Sequence, residues 1–151
     1  MAANSANPYL RTKILTASPE ELRLMLYDGA IKFCRQGREA LDRKELESSY
    51  TGLMRAQKIV LELSTSLNHT ADPDLCSKLS ALYTYIYRLL VDANMDRDGK
   101  KVDEAIDLLQ YERETWRLLM QKVSTAAHGE PTEQQVVGAQ QTAMSSLSTN
   151  A

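Results

Sequence analysis

The chain has 151 residues and a formal net charge of −2, with 43% hydrophobic and 25% charged residues, enough for one domain with a real core. Charges before His128 cancel, which excludes the basic footprint that nucleic acid or an anionic membrane surface requires. No apolar run is long enough to span a membrane and no signal peptide is visible, so Cys34 and Cys76, outside any C-x-x-C, read as reduced, buried thiols of a cytoplasmic protein, with one disulfide as the competing state.

Residues 1–17 read as a flexible N-terminal arm, polar up to Asn7 and then carrying the apolar Tyr9, Leu10, Ile14 and Leu15. Ser18-Pro19-Glu20-Glu21 is a helix start. Ser18 can cap the Glu21 N–H, Glu21 can reach back, and Pro19 suits the first helical position. The helix predicted from there to Asp42 has two apolar faces, Leu22, Leu26, Gly29 and Phe33 on one and Leu24, Tyr27 and Ile31 on the other. A helix with two apolar faces either sits deep in a core or serves a core on one side and a partner on the other. Gly29 and Gly37 inside this helix each cost up to about 1 kcal/mol relative to Ala, and imply a close helix approach, expected at Gly29.

A second helix is predicted from Glu45 to Asn68, with Leu46, Tyr50, Leu53, Val60 and Leu67 inward and Ile59 and Leu63 as surplus apolar surface. Asp72-Pro73 repeats the start signal, and a third helix runs to Arg97. Its inward residues are Leu75, Leu79, Leu82, Ile86, Leu89 and Ala93. Tyr83, Tyr87 and Leu90 widen the apolar arc, and Tyr85 points away. After the Asp98-Gly99 turn a fourth helix runs from Lys101 to Ala126, with Val102, Ile106, Leu109, Trp116, Met120 and Val123 inward. From His128 to the end, low apolar density predicts a disordered tail. Four helices of similar length joined by short loops predict an all-α, antiparallel up-down-up-down four-helix bundle over residues 18–127.

Catalytic chemistry is hard to place on this pattern. The di-iron bundles need Glu-x-x-His on inward faces, yet His69 and His128 fall outside the helix interiors and neither follows a Glu by three. No zinc-ligand spacing, glycine-rich phosphate loop or Gly-x-Ser-x-Gly elbow occurs. The pattern holds no catalytic constellation, no cofactor site and no metal site, and by itself it supports a soluble four-helix bundle without a defined role. The tyrosines read either as core rings with the hydroxyl at the surface or, together with the surplus apolar stripes, as a contact surface. A homodimer using those stripes is the structural alternative.

Three stretches resemble the FliS family of flagellin-specific export chaperones: Thr16–Ile31, Tyr83–Asn94 and Glu114-Thr115-Trp116, with Ala56-Gln57-Lys58-Ile59-Val60 in keeping. The resemblance covers about residues 8–123, in order. It implies a cytosolic bundle that holds the C-terminal segment of flagellin in hydrophobic surface grooves, prevents premature polymerisation and presents it to a component of the flagellar type III export gate. It implies neither nucleic-acid binding nor direct membrane insertion. The partner surface expected on this basis is Leu24, Tyr27, Ile31, Ile59, Leu63, Tyr83, Tyr87 and Leu90, with Tyr9 and Leu10 of the arm covering a groove until flagellin displaces them. Family members commonly carry two consecutive arginines where this chain has Arg88-Leu89, which halves any charged contact there.

Overall fold

Three of the helices begin in the same way, with a capping side chain followed by proline. Asn7 accepts the Leu10 N–H at 3.0 Å ahead of Pro8, and Asp72 accepts the Leu75 N–H at 3.1 Å ahead of Pro73. Ser18 and Glu21 form the reciprocal pair ahead of Pro19, both bonds at 3.1 Å. The computed structural model describes residues 7–68 and 72–128, with the backbone alone at 123 and 126–128. Within them it is all-α, with no strand. The helices are α1 (Pro8–Thr16), α2 (Pro19–Asp42), α3 (Leu46–Thr65), α4 (Pro73–Asp96) and α5 (Gly99–His128). The predicted tail beyond His128 and the His69 loop lie outside the described residues, as does the side chain of Val123.

The arm expected to be irregular is corrected to a helix over Pro8–Thr16, because Asn7-Pro8 is itself a cap-and-proline start. α1 buries no residue. α5 starts two residues earlier than predicted. Arg97, not Gly99, takes the left-handed conformation (φ 53°), and Asp98 then accepts the Lys100 N–H at 3.0 Å.

α2 packs against α3 and α5, and α4 packs against the same two. Their shared core takes Tyr27, Ala30, Ile31 and Cys34 from α2, and Leu53, Ala56, Val60 and Leu63 from α3. From α4 come Leu75, Leu79, Tyr83, Ile86, Leu89, Leu90 and Ala93, and from α5 Val102, Ala105 and Leu109. Both cysteines are free and buried, and burial pushes the Cys34 thiol up to about 12. No described helix is long and apolar enough to cross a membrane.

The two faces of α2 do not divide as expected. Tyr27 and Ile31 look inward, whereas Leu22 is exposed and Leu26 and Phe33 are half-buried. Small residues decide this. Ala30, Cys34 and Gly37 share the stripe of Tyr27 and let α3 come close, a packing gain that a count of large apolar residues misses. The close approach is at Gly37 and Gly52, not at Gly29. A Cβ on Gly52 would lie 3.0 Å from the Gly37 nitrogen, whereas one on Gly29 would meet only the tip of Ile59, at 3.2 Å. The same contact turns α3, so that Leu46 and Tyr50 are exposed and Ser49, Leu53, Ala56, Val60 and Leu63 face in.

Candidate functional site

At the end of the molecule where α2 begins, the four packed helices leave an open groove of about 350 Å³. Two capped helix starts, at Pro19 and at Pro73, fix its walls, and Leu67, just past the end of α3, closes its third side. Its apolar lining is Leu22, Leu26, Leu67, Leu75, Leu79 and Trp116. Trp116 is fixed there from α5 by donating its Nε1–H to the Glu20 carbonyl at 3.1 Å. A Leu-rich concavity with a positioned indole takes up apolar side chains, and its loss of surface to a partner is the source of affinity.

Beneath the groove lies a buried polar cluster. Arg23 donates to the Tyr83 hydroxyl at 2.8 Å, to the Ser66 hydroxyl at 3.0 Å and to the Leu63 carbonyl at 3.5 Å. Its guanidinium also sits 5.3–5.9 Å from the ring centres of Trp116, Tyr83 and Tyr27. Tyr27 and Tyr83 are hydrogen-bonded to each other through their hydroxyls. Burial raises both phenols, so both stay neutral. Glu112 on α5, only 2% exposed, completes the cluster. Burial pushes its carboxyl up to about 7, and the nearby Arg23 charge offsets part of that rise. Sequence reasoning assigned no role to Arg23 or Glu112.

The residues expected on the partner surface divide into two groups. Tyr27, Ile31, Leu63, Tyr83 and Leu90 lie in the core, a correction to their expected place on the outside, and of these only Ile31 also reaches the wall of a surface concavity, the one between α2 and α5. The physical reason is the turn of α2 and α3 imposed at Gly37 and Gly52, together with hydrogen bonding that takes the Tyr27 and Tyr83 hydroxyls inward. Leu24, Ile59 and Tyr87 remain half-buried at the surface. Tyr9 is 77% exposed and Leu10 also faces solvent, so in this structure neither covers the groove. Tyr85 is exposed, as its spacing predicts, and its hydroxyl meets Glu104.

A larger concavity between α2 and α5, of about 690 Å³, is lined mostly by charged side chains, among them Asp28, Arg35, Glu39, Arg113 and Glu114. Arg113 pairs with Asp28 there. It is a solvated interhelical seam, and apolar anchors are better served by the end groove. Among the described residues no group of His, Cys, Asp and Glu could hold a metal ion.

Over residues 1–123 the sequence matches the family described as "Flagellar protein FliS". The protein named flagellar secretion chaperone FliS in Bacillus subtilis (strain 168) is 33% identical over 126 residues, 83% of this chain and 93% of that protein. Its namesake in Campylobacter jejuni is 29% identical over 111 residues, 74% and 87% of the two chains. That of Salmonella typhimurium is 28% identical over 116 residues, 76% and 86%.

Proposed function

The chain belongs to the FliS family, whose curated members are flagellar secretion chaperones and not enzymes, and on that premise we propose that it is the cytosolic export chaperone of flagellin. It binds the C-terminal segment of flagellin in hydrophobic surface grooves, prevents premature polymerisation and delivers its client to the flagellar type III export gate. The observation that carries this reading is the end groove, an apolar surface left open beside a core already closed by other residues. A client segment that is disordered when free lays its apolar side chains there and meets its ordering cost, about 2–5 kcal/mol, on binding. Leu24, Ile59 and Tyr87 extend the contact along the outer faces of α2, α3 and α4.

The fold we assign to the chaperone is an antiparallel up-down-up-down bundle of α2 to α5. Three pairs of groups support it. Arg23 near the start of α2 reaches Ser66 just past the end of α3, and Arg38 near the end of α2 reaches Asp103 near the start of α5 at 3.0 Å. Trp116, late in α5, reaches Glu20 at the start of α2.

α1 belongs to the same mechanism. It ends three residues before Pro19, the first residue lining the groove, and sets Arg11 and Lys13 beside Leu10 and Ile14. Folded back, it shields the groove until the client arrives. Deleting residues 1–15 should then raise the fluorescence of a dye that reports exposed apolar surface, and unchanged fluorescence would count against the shield.

Calorimetric titration with a peptide covering roughly the last 40 residues of the same organism's flagellin tests the main reading. The expected result is one-to-one binding at about micromolar Kd or tighter, with a negative heat-capacity change. A folded protein that ignores this peptide would sink the flagellin assignment.

A further inference from the structure

The end groove is apolar inside and acidic among its exposed lining residues. Glu20, Glu62 and Asp72 stand there, and Arg23 is the one cation among the described residues that line it. Arg23 is already committed to Tyr83, Ser66 and the Leu63 carbonyl. Glu20 and Glu62 form no ion pair among the described residues.

Two of these carboxylates have a use in the fold. Glu20 occupies the first turn of α2, where the helix dipole favours an anion, and Asp72 caps α4. Glu62 has no such use. It lies in the last turn of α3, at the negative end of that helix, and no basic residue in that turn offsets it. A charge kept where its own helix disfavours it conflicts with local stability, and such conflicts concentrate at binding sites.

We infer that the groove receives an apolar stretch of client flanked by a lysine or arginine, whose cationic head is held by Glu62 and Glu20. This inference rests on the flagellin reading above and specifies the chemistry of the segment that fills this groove. The methylene stem of such a residue covers the leucine wall while its charge stays at the wet edge, so recognition leaves no cation buried.

The test is a Glu20→Gln/Glu62→Gln double variant, titrated with the synthetic flagellin tail peptide at about 20 mM and about 500 mM NaCl. Binding should be about fivefold weaker than wild type at low salt, and the difference should vanish at high salt. Glu62→Gln alone should slightly raise the melting temperature of the free protein, because it removes a carboxylate from the negative helix end. A double variant with wild-type affinity and salt dependence, or a Glu62→Gln protein that melts lower, overturns the inference. If wild type binds no tail peptide at either salt concentration, the flagellin reading itself falls and takes this inference with it.

Discussion

Replacing Glu112 by glutamine should stabilise the protein by about 3 kcal/mol at pH 8 and change little near pH 4. Glu112 is buried within reach of the Arg23 charge, and its carboxyl is pushed up from its ordinary 4.5 to about 7, chiefly by burial. Below the unfolded value both states carry the proton, and the group is neutral in the folded protein. As pH rises from about 4.5 to about 7 the unfolded chain releases its proton first, so stability falls across this window. Above it the folded protein holds a buried carboxylate, and the full penalty is present. Glutamine keeps the shape and the polarity of the protonated acid without that penalty. Urea unfolding of both proteins at pH 4 and pH 8 gives the answer. A gain equal at both pH values, or a loss at pH 8, would show that Glu112 does not titrate in this way.

This carboxylate also shows what a closer reading of the sequence could have found. Val102, Ala105, Leu109, Glu112 and Trp116 follow one another at steps of three, four, three and four, so Glu112 falls on the inward stripe of α5. A carboxylate ordinarily belongs on a solvated face, and here its position on the stripe outweighs its type. The helix starts were legible because each is a local event. Ser18-Pro19 and Asp72-Pro73 announce α2 and α4 within four residues. Asn7-Pro8 carries the same signal for α1, hidden among small polar residues that suggested an arm.

What the sequence hid is the rotation of each helix about its own axis. Two apolar faces on α2 were visible, but the choice between them depends on which partner backbone can approach, and that is settled by Gly37 against Gly52 across 15 positions of chain. The candidate site was therefore half legible. The sequence suggested surplus apolar surface on these helices, yet most of the residues assigned to it went inside, and the groove is lined by Leu22 and Leu26 from the other face of α2. Trp116 was read as an inward residue and instead serves both sides, packing on the core and lining the groove.

The second large effect is expected at that crossing. A Cβ at position 52 would lie 3.0 Å from the Gly37 nitrogen, and 3.2 Å from both the Gly37 Cα and the Phe33 carbonyl oxygen. These are backbone atoms, so no rotamer change relieves the contact and α2 and α3 must separate. Gly52→Ala gains about 1 kcal/mol of helix propensity, which offsets part of the strain. Gly52→Val adds two methyl groups and a stiffer side chain with less propensity gain, and should cost about 3 kcal/mol or more, read as a lower urea midpoint with an unchanged slope. Gly99→Ala is the control. Its Cβ would meet only the guanidinium of Arg38, the free end of a flexible side chain that pairs with Asp42 and Asp103 at the surface. Moving that side chain costs no more than about 1 kcal/mol. A Gly52→Val protein as stable as the Gly99→Ala control would mean that α2 and α3 do not touch at this point, and the inward placement of Tyr27 and Ile31 would lose its physical cause.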